Sequence, residues 1–349
     1  MRLRRKMSKI TLIVLAAVVA VAVRESSAVT NEATFIIDSV NGDPGNTWTA
    51  SDQNVIPGDG KNFEQLMGVL PRDGNSFRFA PIKKSDGGDS NEALPENFDA
   101  RERWPECSSL LNSIKDQSNC GSCWAVSAAS VFSDRLCIAT GGAVARNLSA
   151  EQLNSCCYRC GHGCDGGSPE SAWYFFQRHG IVTGGDYESG DGCQPYSIYP
   201  CGKGRNTCID EDPDAPECSV NTCTNSNYTK DYRADLHYVD TVYSLTTEED
   251  IMTDLYKYGP VQAAFYVYTD FMYYKTGVYS YTRGQIEGGH AIKILGWGVD
   301  NGTKYWLCAN SWSRSWGENG LFRILRGNNE CYIEDRVLGG KPNVPRRNN

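Results

Sequence analysis

Apolar residues recur at helical spacing in the first half of the chain. After Ser122 they fall on one face from Trp124 to Leu136, and this pattern predicts a helix that Gly141 ends. Further helices are predicted where capping residues precede short amphipathic runs: Ser149-Ala-Glu-Gln152, Ser168-Pro169, and Thr246-Thr-Glu-Glu249, the last of these helices ending at Gly259-Pro260.

The second half of the chain instead shows the short alternating or continuously apolar runs that are typical of β-strands. The predicted strands are Val261–Tyr268, Ala291–Gly296, Lys304–Ala309, Leu321–Leu325 and Tyr332–Leu338. Because helices come first and strands follow, rather than alternating, the sequence predicts an α+β fold with two lobes of different character.

The first 28 residues have the pattern of an export signal. Basic residues precede an apolar run from Ile10 to Val23, and the small residues Ser26, Ser27 and Ala28 follow it. A membrane anchor is the alternative, but the run is shorter than the roughly 20 residues that a spanning helix needs. We therefore predict a cleaved signal peptide at 1–28 and passage through the secretory pathway to the lysosome or the outside of the cell.

Residues 29–93 differ from the rest of the chain because they lack cysteine and their short apolar runs are interrupted by glycine, proline and polar residues. Residues 62–70 have the composition of two helical turns, and residues 86–90 that of a flexible link. Two interpretations follow, a removable pro-segment and a disordered linker. Export favours the pro-segment.

Composition narrows the functional classes. The 349 residues carry 42 acidic against 34 basic side chains, a net charge of −8, so the chain lacks the positive field that nucleic-acid phosphates attract. A mean hydropathy of −0.46 with one long apolar run excludes a polytopic membrane protein. Fifteen cysteines indicate disulfide cross-links, and their odd number leaves at least one thiol unpaired. Glycosylation sequons agree with export and stand at Asn147, Asn227 and Asn301.

The candidate chemistry is concentrated in residues 117–125. Cys123 stands at the start of the long predicted helix, where unpaired backbone N–H groups favour a thiolate. Gly121 leaves room for a substrate backbone, and Gln117 can donate an amide N–H to a developing oxyanion. A disulfide or a redox pair between Cys120 and Cys123 is the alternative interpretation of the Cys-x-x-Cys spacing.

A cysteine nucleophile needs an imidazole partner that is held in one orientation. His290 follows two glycines at the start of a predicted strand, and Asn310 closes the next strand, where its amide oxygen can accept from the ring. Trp312 can shield that hydrogen bond from water. The chain has four histidines, and a surface or structural role explains the other three better because they lack such a context.

These residues resemble the signature of the papain family of cysteine proteases. The resemblance rests on Cys120-Gly-Ser-Cys-Trp124, with His290 and Asn310 farther downstream than the usual distance of about 130–150 residues. An insertion at 193–223 accounts for the excess and is similar to the occluding loop of the cathepsin B-like members. The resemblance begins at Leu94, so a mature domain is expected at 94–349 and a short pro-segment at 29–93.

The resemblance implies a mechanism. Cys123 would be the nucleophile, His290 the general base and then acid, Asn310 the residue that orients the imidazole, and Gln117 with the backbone N–H of Cys123 the oxyanion hole. Peptide bonds would be hydrolysed through a thioester acyl-enzyme in a cleft between a helical left lobe and a β-barrel-like right lobe. No cofactor or metal is implied. The expected partners are peptide and protein substrates, the pro-segment as inhibitor and cystatin-type inhibitors, with no nucleic acid and no membrane.

The resemblance also implies how the cysteines pair, and it makes Gly166 and Gly167 a wall of the cleft. A zinc site over residues 156–164 is the alternative for that cysteine-rich stretch. A formal G-x-G-x-x-G over residues 161–166 lacks the strand and helix of a dinucleotide site. The implied disulfides are Cys107–Cys137, Cys120–Cys164, Cys156–Cys218, Cys157–Cys160, Cys193–Cys223 and Cys201–Cys208, which leave Cys123, Cys308 and Cys331 unpaired.

One departure from the cathepsin B-like pattern concerns the mode of cleavage. Residues 201–208 lack the histidine pair with which such enzymes hold the C-terminal carboxylate of the substrate. Asp116, which would face that pair, remains, but Ser315 replaces an acidic residue that anchors the loop. We therefore expect mainly endopeptidase activity. A dipeptidyl carboxypeptidase that uses Lys203 or Arg205, and an inactive binding homologue, are the alternatives.

Two further departures concern substrate binding. Arg336 stands at the floor of the expected S2 pocket, where cathepsin B-like enzymes carry a glutamate, so basic P2 residues should be disfavoured unless the side chain points to solvent. Glu287 replaces an apolar residue near His290, on the expected primed side of the cleft.

Overall fold

The computed structural model describes residues 32–53, 63–71, 80–83, 93–200 and 214–344. The predicted signal peptide, the predicted pair Cys201–Cys208 and the side chains of Lys203 and Arg205 lie outside the described residues. Within the described part of the chain, no helix combines the length and the apolar character that crossing a membrane requires.

The helices lie mostly in the first half of the chain, and all four predicted ones are present. Helix α1 covers residues 32–42, and α2 and α3 are short, at Ala100–Arg103 and Ser108–Leu111. The predicted helices are α4 (Cys123–Ala139), α5 (Ala150–Cys156), α6 (Pro169–Arg178) and α7 (Glu248–Tyr258). Short 3₁₀ segments cover Phe63–Leu66, Pro105–Cys107, Gly163–Asp165, Arg233–Asp235, Thr269–Tyr273 and Glu330–Tyr332.

The predicted capping residues are correct for two helices and wrong by one position for a third. Ser149 and Ser168 cap α5 and α6 as predicted. Helix α7 has Thr247 rather than Thr246 as its N-cap, and Thr247 Oγ1 accepts a hydrogen bond from the Asp250 N–H at 3.1 Å. The same hydroxyl donates to the Asp250 carboxylate at 2.7 Å, and this pair of contacts fixes the start of the helix.

The strands form one mixed sheet. They are β1 (Trp48–Ala50), β2 (Phe98–Asp99), β3 (Val239–Leu245), β4 (Val261–Tyr268), β5 (Tyr274–Tyr279), β6 (Ile286–Asp300), β7 (Thr303–Ala309), β8 (Leu321–Leu325) and β9 (Val337–Pro342). Their order is β1-β5-β8-β7-β6-β4-β9-β3, and β2 pairs with β6. The path ends at β1 and β3 without closing, so among the described residues this lobe is an open sheet rather than a barrel.

The last predicted strand begins later than expected. The sequence predicted it from Tyr332, but β9 starts at Val337. Cys331 and Tyr332 have φ values of 49° and 64°, which is left-handed backbone that an extended strand does not allow. A 3₁₀ turn therefore fills the start of the predicted range.

Helix α4 is buried on all sides, whereas the sequence predicted one buried face. Every residue from Cys123 to Cys137 is buried. Helices α5 and α6 contact one side of α4, and strands β4 and β6 contact the other. Because alanines and serines alternate with its large residues, the apolar pattern alone showed only a stripe. This central helix therefore joins the helical lobe to the sheet.

Buried polar contacts also link the two lobes. Lys293 on β6 forms a 2.7 Å ion pair with Asp134 on α4, and both side chains are nearly inaccessible to solvent. Trp173 on α6 donates its indole N–H to the Gln262 side chain on β4 at 2.8 Å. These contacts hold α4 and α6 against β4 and β6, the strand that carries His290.

The N-terminal segment, by which we mean the described residues up to 83, packs against the rest of the chain and is not a free linker. Ile36 and Val40 of α1 and Trp48 of β1 are buried in the core of the sheet lobe. Strand β1 pairs with β5 at one end of the sheet. Of the two helical turns predicted over 62–70, only the 3₁₀ turn Phe63–Leu66 forms, because the residues after it run extended through the cleft.

Candidate active site

Cys123 begins helix α4 and lies at the bottom of a cleft between the helical lobe and the sheet. Its sulfur accepts backbone N–H groups from Ala291 at 3.4 Å and from Gly68 of the N-terminal segment at 3.2 Å. The side chain has no solvent exposure. Burial raises the pKa of the thiol to about 11, although the N–H donors act in the opposite direction. With the N-terminal segment in place, Cys123 is therefore a neutral thiol.

His290 lies on β6 and faces the end of β7. Its Nε2 donates to the amide oxygen of Asn310 at 2.8 Å, and that oxygen also accepts the backbone N–H of Ser311 at 2.8 Å. The indole of Trp312 covers the imidazole, with ring centroids 4.7 Å apart. Burial lowers the pKa of His290 to about 4, despite the opposing influence of Asn310 and of the Leu66 carbonyl. The ring is thus held in one orientation and kept neutral.

The side-chain amide of Gln117 points into the cleft. Its Nε2 donates to the carbonyl oxygens of Cys120 at 2.8 Å and Leu66 at 3.1 Å. Its Oε1 accepts from the hydroxyl of Ser311 at 2.7 Å, which fixes the NH₂ group on the cleft side. The position of this donor suits a negatively charged carbonyl oxygen.

Two positioning residues escaped the sequence analysis. Ser311 connects Gln117 with Asn310 across the lobes. Its position directly after Asn310 could have indicated this role from the sequence. The phenol of Tyr196, at the base of the insertion, lies 2.8 Å from Ser122 Oγ and donates to the Gln117 carbonyl at 3.0 Å. Tyr196 is far in sequence from Ser122 and Gln117, so no local motif indicated this contact.

An extended piece of the N-terminal segment fills the cleft and bonds to both walls. The N–H of Gly167 donates to the Gly68 carbonyl at 2.9 Å, and the Leu70 N–H donates back to Gly167 at 3.1 Å. On the opposite wall, Val69 donates its N–H to Gly289 at 2.9 Å. The cleft therefore binds an extended backbone through main-chain groups.

The glycines around the cleft are needed for close approach. A Cβ on Gly167 would lie 2.5 Å from the indole of Trp124, and one on Gly121 would lie 2.3 Å from the carbonyl of Cys164. Gly166 has a φ of 103°, a conformation that glycine adopts without strain. Gly166 and Gly167 were predicted to form a wall of the cleft, and Gly167 makes the main-chain hydrogen bonds to Gly68 and Leu70 described above.

Arg336 and Glu287 line one cavity of about 910 Å³ beside the cleft. Val69 and Leu70 of the N-terminal segment also border it, so the extended segment runs past its mouth. Glu287 Oε1 accepts from Thr269 Oγ1 at 2.5 Å. Glu287 was expected on the primed side of the cleft, and this assignment stays a prediction; in the structure it lines the same cavity as Arg336.

The disulfides decide between the alternatives for the cysteine motifs. Cys120 pairs with Cys164 and not with Cys123, which excludes the redox pair. The cysteines of residues 156–164 are all in disulfides, which excludes a zinc site there. The structure contains Cys107–Cys137, Cys120–Cys164, Cys156–Cys218, Cys157–Cys160 and Cys193–Cys223. Free and buried among the described residues are Cys123, Cys308 and Cys331.

The sequon asparagines have different surroundings. Asn227 and Asn301 are exposed, as a glycosylated side chain must be. Asn147 is half-buried, and its amide oxygen accepts from Lys115 Nζ at 2.9 Å. Modification at Asn227 and Asn301 stays a prediction, and modification of Asn147 would require this contact to open.

Comparison with known proteins agrees with this arrangement. Residues 94–340 match the profile described as "Papain family cysteine protease". The cathepsin B-like cysteine proteinase 4 of Caenorhabditis elegans is 54% identical over 261 residues, 73% of this chain and 77% of the relative. The cathepsin B-like cysteine proteinase 5 of the same organism is 47% identical and covers 98% of this chain and 99% of its own.

Solved structures lead to the same family. The structure of procathepsin B S9 from Trypanosoma congolense superposes with a TM-score of 0.74 at 38% identity, over 89% of this chain and 98% of that one. Digestive procathepsin L 3 of Tenebrio molitor, at 22% identity and a TM-score of 0.65 over 97% and 94% of the two chains, shows the shared fold. The chain therefore belongs to the papain family of cysteine proteases, where it is similar to the cathepsin B-like proteinases.

Proposed function

We propose that the chain is the zymogen of a cysteine peptidase that cleaves mainly inside polypeptides. The observation that carries this proposal is the convergence of three groups on one stretch of backbone in the cleft. The sulfur of Cys123 contacts Gly68, and both His290, which Asn310 holds, and the amide of Gln117 contact the carbonyl of Leu66. A substrate backbone in this place would lie against the nucleophile, the base and the oxyanion donor together.

The chemistry follows from these positions. When the cleft opens to solvent, the proton of Cys123 passes to His290, and the thiolate attacks the substrate carbonyl carbon. The carbonyl oxygen becomes negative and is stabilised by Gln117 Nε2 and the Cys123 N–H. The C–N bond then breaks as His290 gives its proton to the leaving amine. Water, deprotonated by His290, hydrolyses the remaining thioester and restores the thiol.

Self-inhibition is supported by how the N-terminal segment occupies these positions. The carbonyl of Leu66 accepts from Gln117 Nε2, the donor that we assign to the oxyanion. The bridge between Val69 and Gly167 is parallel. We infer that residues 29–93 act as a pro-segment, that 94–349 are the mature domain, and that the chain reaches its destination through the secretory pathway.

The endopeptidase mode rests on the residues that were expected to anchor the insertion. Ser315 offers a neutral hydroxyl, which pairs with Ser313 Oγ at 2.6 Å, where an acidic residue was expected to hold the loop. Asp116 accepts the backbone N–H of Ser118 at 2.9 Å. An uncovered cleft would accept long substrates on both sides of Cys123.

One peptide in two forms tests the mode of cleavage. We would digest it with activated enzyme, once with a free and once with an amidated C-terminus, and read the products by mass spectrometry with Cys123→Ala as blank. Equal internal cleavage of both forms is expected. Release of dipeptides from the free form alone would show that a basic residue of the insertion, Lys203 or Arg205, captures the carboxylate, and would overturn the endopeptidase proposal.

A further inference from the structure

Residues 80–83 of the N-terminal segment bind the domain away from the cleft. They add in parallel to β3, the last strand of the sheet. The Lys83 N–H donates to the Ser244 carbonyl at 2.9 Å, and the Ser244 N–H donates to the Pro81 carbonyl at 3.0 Å. Ser244 Oγ also donates to the carbonyl of Ala80 at 3.1 Å. Strand β9 occupies the other side of β3, so this contact uses the remaining edge.

The ammonium group of Lys83 enters a site made of two rings and a carboxylate. Lys83 Nζ lies 2.7 Å from Asp254 Oδ2. It is 4.3 Å from the ring centroid of Tyr243 and 4.4 Å from that of Tyr258. The Asp254 side chain is only 2% exposed. Aromatic faces and a desolvated carboxylate around one ammonium are a strong combination for recognising lysine.

The domain holds this site in place through contacts that do not involve Lys83. Arg135 on α4 forms a 2.5 Å ion pair with Asp254 Oδ1 and donates to the Tyr243 hydroxyl at 2.8 Å. Tyr243 in turn donates to Asp254 Oδ1 at 3.2 Å. Although burial opposes ionisation, the charges of Arg135 and Lys83 hold the pKa of Asp254 below its ordinary value. The carboxylate therefore keeps one oxygen for Arg135 and presents the other to Lys83.

The site is separate from the catalytic one. Arg135 lies about 18 Å along α4 from Cys123, at 1.5 Å per residue. Two other cations lie near this site. Lys257 lines a small cavity together with Lys83, Asp254 and Tyr258, and Lys341 Nζ is 5.3 Å from the ring centroid of Tyr258.

We propose that Tyr243, Tyr258 and Asp254 form a lysine-binding exosite beside the edge of β3, which anchors the pro-segment in the zymogen and takes a lysine of an extended peptide in the mature enzyme. The first role requires only the contacts described above. The second rests on the proposed function, because maturation must remove residues 80–83 to vacate the site. The partner is a segment whose backbone pairs with Ser244 while its lysine enters between the rings.

The first test uses the full chain with Cys123→Ala, and it needs no peptidase activity. Lys83→Met keeps the apolar stem and removes the charge. We expect amide hydrogen exchange at Ser244 to become about tenfold faster in this variant. Lys83→Arg should restore slow exchange, and Lys275→Met, at an exposed lysine, is the matched control. Unchanged exchange in Lys83→Met would overturn the anchor.

The second test measures binding to the matured enzyme after its thiol has been blocked by an epoxide. The probe is a fluorescent peptide with the sequence of residues 79–84, and the comparison peptide has norleucine in place of Lys83. We expect norleucine, and separately Tyr258→Leu in the enzyme, to weaken binding about tenfold. Equal binding of both peptides, or no binding because Lys257 or Lys341 fills the site, would overturn the exosite in the mature enzyme.

Discussion

Among single residues, the candidate catalytic residues could be predicted from residue type and sequence context. The residues that position them could not, because their contacts form only in the folded chain. Cys123, His290, Asn310 and Gln117 stand in motifs with a chemical reason for each side chain. Ser311 was not predicted, because its bond to Gln117 exists only when the residues after β7 in the sheet lobe meet the residues before α4. The orientation of the Gln117 amide is therefore fixed only when both lobes are in place.

Gln117→Ala tests the oxyanion assignment. Turnover should fall by about 10²–10³, the usual cost of losing one oxyanion donor, while the reaction of Cys123 with a thiol-directed inhibitor should remain. Gln177→Ala is the matched control, since Gln177 is half-buried on α6 and donates to the Asp240 carbonyl. A change in kcat/KM of less than threefold in Gln117→Ala would contradict the assignment.

The position of Arg336 predicts which substrates the enzyme prefers, because this residue lines the cavity beside the cleft. A fixed positive charge there should disfavour arginine at P2 relative to phenylalanine or glutamate. Comparison of kcat/KM for the three peptides measures this, and Arg336→Glu should invert the order. Arg178→Glu, on α6, is the control. If arginine is the best P2 residue for the unmodified enzyme, Arg336 does not set the preference.

At the scale of elements, helices and strands that are defined by their own apolar pattern could be predicted. Those that form only against another part of the chain could not. The spans of β4 and β8 were correct because apolar runs with sharp ends define them. Helix α1 and strand β1 were missed, because their apolar runs are short, are interrupted by polar residues and are buried only against the sheet lobe. The same holds for residues 67–70, which are extended because the cleft walls supply their hydrogen bonds.

Gly68→Ala tests the extended element in the cleft. A Cβ at Gly68 would lie 1.9 Å from the carbonyl oxygen of Gly121, so the pro-segment must move away from the nucleophile. We expect the unprocessed variant chain to hydrolyse a small peptide substrate, and the unprocessed chain without the substitution to be latent. Gly42→Ala is the control, because a Cβ there meets no atom within 4 Å. Equal latency of both variants would contradict the blocking role of residues 66–70.

At the scale of the whole molecule, the function depends on how the N-terminal segment and the two lobes are held together. The sequence predicted two lobes and a pro-segment, but not that this segment would contact both ends of the sheet, through β1 at one end and residues 80–83 at the other. Such long-range contacts have no local signal in the chain. The closed cleft in turn sets the protonation states of Cys123 and His290.

Closure should depend on pH through His290. Its pKa is about 4 when buried by the pro-segment, against about 6.5 for an accessible histidine, so the open form binds more protons between these values. The closed state is then most stable above pH 6.5 and loses about 3 kcal/mol as pH falls to 4. We expect amide exchange at Val69 in the full chain with Cys123→Ala to accelerate over this range.

Two further variants attribute that pH dependence to one group. His290→Gln should flatten the acceleration, because glutamine does not titrate. His179→Gln should leave it unchanged, since His179 is exposed at the end of α6. The same acceleration in the His290→Gln chain would assign the effect to another group.

The proposed mechanism depends above all on Cys123 as the nucleophile and on residues 66–70 as the segment that blocks it. It is tested most directly by labelling the intact and the processed chain with an epoxide inhibitor of thiol peptidases and locating the adduct by mass spectrometry. We predict one adduct, on Cys123, in the processed chain and none in the intact chain, with Cys308 and Cys331 unmodified because they are buried. Equally fast labelling of the intact chain, or an adduct on another cysteine that abolishes activity, would contradict it.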